Sequence, residues 1–211
     1  MKSQNPDGGW SAVPFYSLKH TLPYTFLASH FRLIRNIVRR QGTNLLWLPL
    51  FDSAIDMTSR VLIALGNTRR NDERKRKAIS RGVQYLMSQY DNGRFHSDAR
   101  WVDSDVHETS LSIIALKPND VASEVRGGAL DWLLRQHNMS EDEIAHLIWA
   151  GCTAEVPSQT PMPYIERLVS LQNKDGSWHP TLPFRMTAPF WDPLFSTAMP
   201  LLALKKANTR N

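Results

Sequence analysis

The 211-residue sequence has a single cysteine, Cys152. No intramolecular disulfide can form, and this usage fits a reducing, cytoplasmic compartment. Long apolar runs are also missing. The longest, Asn44 to Ile55, is broken by Pro49 and Asp52 and is too short to cross a bilayer. Met1 to Trp10 has no apolar core, so no signal peptide is expected. No run alternates in the manner of a strand, which points to an all-α fold. Cysteine and histidine do not recur at ligand spacing: Cys152 stands between Gly151 and Thr153 with no spaced partners. No metal and no cofactor are therefore expected.

What is present points to a packed core. The chain is 42% hydrophobic and 21% charged, which excludes global disorder. Seven tryptophans supply large buried surfaces, and thirteen prolines sit between apolar segments, where they stop helices. The net charge is +5, with the excess in Arg69, Arg70, Arg74, Lys75, Arg76, Lys77 and Arg81, and again in Arg32, Arg35, Arg39 and Arg40. A solvated helix face accounts for these; attraction to anionic lipid or a diphosphate is the other reading. No nucleic-acid motif accompanies them, so nucleic acid is not expected as a partner.

The sequence repeats itself. Gln4-Asn5-Pro6-Asp7-Gly8-Gly9-Trp10, Gln89-Tyr90-Asp91-Asn92-Gly93-Arg94-Phe95 and Gln172-Asn173-Lys174-Asp175-Gly176-Ser177-Trp178 share a pattern: glutamine, a polar turn with glycine, and an aromatic six residues on. Apolar stripes at helical spacing precede the two later copies, over Arg81–Met87 and Tyr164–Leu171. A degenerate copy, Arg126 to Gln136, keeps the helix and the glutamine but lacks the glycine and the aromatic. The repeat has a physical reading. A helix ends near Gln, and Gly accepts the positive φ of the turn. The Gln amide can satisfy orphan backbone groups, and the aromatic folds back over the helix end. Between the copies, further helices are expected over Asp56–Gly66, Glu108–Leu116, Glu141–Gly151 and Phe195–Ala207. Two kinds of helix alternate, so the units read as hairpins that must stack to bury their faces.

Gln, Asp-Gly and Trp at this spacing resemble the QW repeat of squalene-hopene and oxidosqualene cyclases. The resemblance runs in order along nearly the whole chain. Gln4 to Val13 is similar to the family's QNxxGGWxAF/Y segment and Asp56 to Gly66 to its DVTxRVLExLG helix. Arg81 to Phe95 is similar to the next repeat, and Arg100-Trp101 to the GRW that follows. Arg126 to Gln136 is similar to its RALDWLxxHQ helix. Gln172 to Trp178 resembles the last repeat, and Met199 to Leu204 the closing FPxLAL helix.

This resemblance implies one domain, 1–211, matching the C-terminal half of a cyclase. It implies an α/α toroid of inner and outer helices, here an incomplete ring, around an aromatic-lined cavity. The implied substrate is an apolar polyprenyl chain such as squalene, cyclised after protonation. The family's acid motif, DxDDT, lies upstream of the matched region. The expected alternative is a non-catalytic module, or one half of a split cyclase whose protein partner carries that motif. An apolar substrate also implies peripheral membrane contact, with Leu45–Leu50 and the nearby arginines as the contact segment.

One segment resembles the acid motif in shape: Asp105-Val106-His107-Glu108-Thr109, ahead of Ser110 to Leu116. Asp105, His107 and Glu108 take the acidic places. Asp105 or Glu108 would be the general acid and His107 its charge partner. Helix capping explains the same residues, with Asp105 at the N-cap and Glu108 in the first turn. Trp101, Phe184, Phe190, Trp191 and Phe195 correspond by resemblance to cavity aromatics, where π faces would stabilise carbocations; core packing is the other reading of each. His146, on an apolar helix, reads as a lone core histidine.

Overall fold

The computed structural model describes residues 4–11, 53–69, 72–96, 104–119, 123–154, 161–178 and 193–209. Seven α-helices run through these residues: α1 (Ile55–Gly66), α2 (Glu73–Ser88), α3 (Asp105–Leu116), α4 (Ser123–Leu134), α5 (Glu141–Thr153), α6 (Met162–Ser170) and α7 (Pro193–Asn208). Each covers a segment expected to be helical. α2 starts earlier than its apolar stripe because Asp72 caps it, accepting from Lys75 N.

Alternate helices pack as a row. α1 lies against α3, α3 against α5, and α5 against α7, while α2, α4 and α6 flank α1, α3 and α5. The two central row helices, α3 and α5, are buried nearly all round, whereas α1 and α7 at the ends of the row keep exposed positions such as Arg60 and Leu201. In α3 every residue from Val106 to Leu116 is buried, including Thr109, Ser110 and Ser112. The flanking helices bury one face: α2 inserts Ala78, Gly82, Val83, Tyr85 and Leu86 and exposes Arg74, Arg76, Lys77 and Arg81. The contrast between α2 and α3 follows from composition, since α2 carries a charged stripe to keep in water and α3 beyond its first turn carries none.

A strand was not expected, yet Tyr90–Asp91 (β1) and Arg94–Phe95 (β2) pair antiparallel, Tyr90 opposite Phe95 and Asp91 opposite Arg94. Asn92 (φ 49°) and Gly93 (φ 86°) form the two-residue turn. Asn-Gly accepts two successive left-handed residues, and the second copy of the repeat therefore closes as a hairpin too short to show alternation.

The three Gln-to-aromatic turns share a left-handed glycine and an aromatic-to-threonine bond, and the first and third also share the glutamine bond, whereas the Gln89 amide donates to Ser88 Oγ. Gly8, Gly93 and Gly176 all have φ between 86° and 95°. The Gln4 and Gln172 amides donate to the carbonyls of Gly8 and Gly176, each at 2.8 Å. Trp10, Phe95 and Trp178 are buried, and Trp178 Nε1 donates to Leu168 O (2.8 Å), covering the end of α6 as the repeat requires. In each turn the aromatic residue's own N–H donates to a threonine of a row helix. Trp10 N reaches Thr58 Oγ1 (2.9 Å) on α1, Phe95 N reaches Thr109 Oγ1 (3.0 Å) on α3, and Trp178 N reaches Thr197 Oγ1 (3.3 Å) on α7. The repeat is thus Gln–turn–aromatic–threonine. It couples each turn to the next row helix and satisfies a backbone donor that packing removes from water.

Candidate functional site

The threonines set a common register for the row helices. Asp56-Met57-Thr58, His107-Glu108-Thr109 and Phe195-Ser196-Thr197 occupy equivalent first-turn positions on α1, α3 and α7. Polar residues therefore collect near the start of the row. Asp56, His107 and Glu108 are all buried there. Burial pushes the Asp56 carboxyl up from its ordinary range, against the nearby Arg60, and Asp56 Oδ1 has no hydrogen-bond partner among the described residues.

The cap of α3 is Ser104, not Asp105. Its hydroxyl accepts from His107 N (3.1 Å) and donates to Glu143 Oε1 (2.5 Å) on α5. Glu143 in turn closes a capping box with Ser140. The two helix starts are thereby tied together, which brings the first turns of α3 and α5 side by side. Serine wins the cap because it precedes the helix and Asp105 already lies inside it. Glu108 does stand in the first turn.

The structure separates the expected trio. Asp105 faces the β-hairpin: its two oxygens are held by Arg94 Nη1 (2.5 Å) and His96 Nδ1 (2.8 Å). His107 turns instead to α5. Its Nδ1 donates to Asp142 Oδ2 (3.3 Å), and its Nε2 lies 3.4 Å from Arg60 Nη2. His107 was expected as charge partner to Asp105 or Glu108; the carboxylate on its Nδ1 is that of Asp142. Adjacent helix residues point in different directions by about 100°, so residues 105 and 107 cannot share one face.

His146 is a core residue, as its apolar helix suggests, but it is not alone. Its ring centroid is 4.2 Å from that of His107, and its Nδ1 lies 2.9 Å from Asp142 O and 3.1 Å from Asp142 Oδ2. Burial, then the His146 ring, lower the His107 pKa to about 4. For Asp142 burial acts the other way, but the two imidazoles outweigh it and hold the carboxyl well below the usual range. Asp142 and His146 are four residues apart on α5, a spacing that puts both on one face and could have been noticed in the sequence. Arg60, Arg94 and His96 carry no such signal, because their partners lie on other elements.

Trp101, Phe184, Phe190 and Trp191 lie outside the described residues, as do Leu45–Leu50 and Arg32 to Arg40. Phe195 lies in the first turn of α7, and its side chain is outside the description. Among the described residues no helix is long and apolar enough to cross a membrane.

No family model and no curated protein matches this sequence. A crystal structure of a protein from Actinoplanes is similar in fold, with a TM-score of 0.66 at 17% sequence identity. The match covers 98% of this chain, which spans 66% of the length of that one.

Proposed function

We propose that this chain is a triterpene-cyclase-like protein that takes an apolar polyprenyl substrate, with its row helices as the inner wall of an incomplete α/α toroid. The observation that carries this reading is the aromatic-to-threonine hydrogen bond that closes the repeat turn, made alike at α1, α3 and α7. It joins the collinear motifs of the sequence to one repeated geometry. In this reading Glu108 is the general acid that starts cyclisation, because Asp105 is committed to Arg94 and His96. The aromatics Trp101, Phe184, Phe190, Trp191 and Phe195 line the cavity, and Leu45–Leu50 touches the membrane from which the substrate comes.

The test is incubation of purified protein with squalene, oxidosqualene and shorter prenyl diphosphates, with products read by gas chromatography and mass spectrometry. A cyclised product that Glu108→Gln abolishes and Asp105→Asn only reduces supports the reading. A second reading is favoured by the same Asp105 ion pair: the segment that resembles an acid motif is tied up structurally, and the chain is a non-catalytic module or one half of a split cyclase. Product formed only when a second protein bearing the acid motif is added supports that reading. No product under either condition defeats the enzyme proposal.

A further inference from the structure

We propose that His107, Asp142 and His146 form a binding site for a divalent transition-metal ion of the zinc class. Each of the three offers a donor atom, and the three atoms lie within 4.8 Å of one another in the core. Asp142 Oδ2 stands 3.1 Å from His146 Nδ1 and 3.3 Å from His107 Nδ1. A tetrahedral ion with bonds of about 2.0–2.1 Å holds its ligand atoms roughly 3.3 Å apart. Both imidazole–carboxylate pairs are therefore already at ligand spacing, and the third pair lies within 4.8 Å, a short closure from the same value.

The supporting elements fit as well. Two donors come from one face of α5, four residues apart, and the third from α3, whose start is tied to α5 through Ser104 and Glu143. Two imidazoles and one carboxylate are a donor set that zinc and similar ions accept with an open coordination position. Both rings are 1% exposed, so their orientation is fixed by packing. His146 Nε2 is buried and has no hydrogen-bond partner among the described residues. When Nδ1 takes the ion, its proton can move to Nε2 without breaking a bond at that end. On His107 the same shift displaces only the 3.4 Å contact with Arg60, an exposed and flexible side chain. A second group, His96, Asp105 and Glu108, also has close donor atoms. There Arg94 already neutralises Asp105 at 2.5 Å, and its charge repels a cation.

The site is independent of the cyclase reading, and its test uses no substrate. The full chain is dialysed against a chelator and titrated with Co²⁺, then Zn²⁺. Expected is one Co²⁺ per chain with the visible absorption of a four- or five-coordinate site, displaced by Zn²⁺. Asp142→Asn and His146→Gln should each weaken binding at least about tenfold, while His96→Gln leaves it unchanged. Should the buried variants unfold, the wild type decides by itself: Zn²⁺ at a folded-state site raises the melting temperature. No saturable Co²⁺ spectrum, no Zn²⁺ shift in melting temperature, or binding lost only in His96→Gln overturns the proposal.

Discussion

His107 on α3 and His146 on α5 lie 4.2 Å apart, ring centre to ring centre, and share one carboxylate, Asp142. This contact joins two row helices through buried titratable groups, beside the Ser104–Glu143 bond that ties their starts. It makes the fold sensitive to acid.

Stability should fall between about pH 6.5 and about pH 4 through His107. Its folded pKa, about 4, lies below the ordinary 6.5, so the unfolded chain binds the proton more readily. The contribution is full above about pH 6.5, is lost as pH drops, and amounts to on the order of 3 kcal/mol. Asp142, held low in the fold, adds stability that disappears only at still lower pH. Urea midpoints measured across this range should decline in the wild type and flatten in His107→Gln. A pH-independent wild type would contradict the burial of a neutral imidazole.

Thr109→Val should destabilise by about 1–3 kcal/mol. The substitution keeps the shape but removes the acceptor for Phe95 N, a buried donor with no water to replace it. Thr58→Val should behave alike through Trp10 N, whose bond is also buried. Thr197→Val should cost less, since its bond is longer at 3.3 Å and partly solvated. Equilibrium denaturation of the three variants gives the order.

Two glycines in helices should respond with opposite signs. A β-carbon at Gly82 would meet Trp10 Cζ3 at 2.6 Å and Leu62 Cδ2 at 3.0 Å, so Gly82→Ala should destabilise although alanine is the better helix former. A β-carbon at Gly127 meets nothing within 4 Å, and Gly127→Ala should stabilise by up to about 1 kcal/mol. Thermal melts distinguish the two directly.

Trp178→Phe should weaken the last repeat by about 1–3 kcal/mol. It deletes the indole donor to Leu168 O and leaves that buried carbonyl only the longer bond from Leu171 N, at 3.3 Å. Faster amide exchange confined to α6 and the 172–178 turn would mark the damage as local; a uniform change would contradict the role assigned to this residue.

Much of the fold was legible in the sequence. Every described helix falls on a segment marked by apolar spacing, and the glycines of the repeat take the left-handed turns that their position requires. The aromatics of the repeat are buried as expected. These features depend on local chemistry: a periodic apolar face, a stop signal, a residue able to adopt positive φ. The β-hairpin escaped because two residues per strand leave no alternation to read.

The site was legible only in its residue types. The sequence alone determined that Asp105, His107 and Glu108 open one apolar helix and that His146 stands on another. The tertiary structure decided their partners. Asp105 goes to Arg94 and His96, while His107 crosses 35 residues of chain to Asp142. The threonine of each repeat likewise shows its role only when its helix meets the turn it serves. The physical reason is the same throughout. A hydrogen bond between helices depends on their rotation and neighbourhood, which are set by packing the whole row, whereas periodicity within one segment fixes only which face of it is apolar.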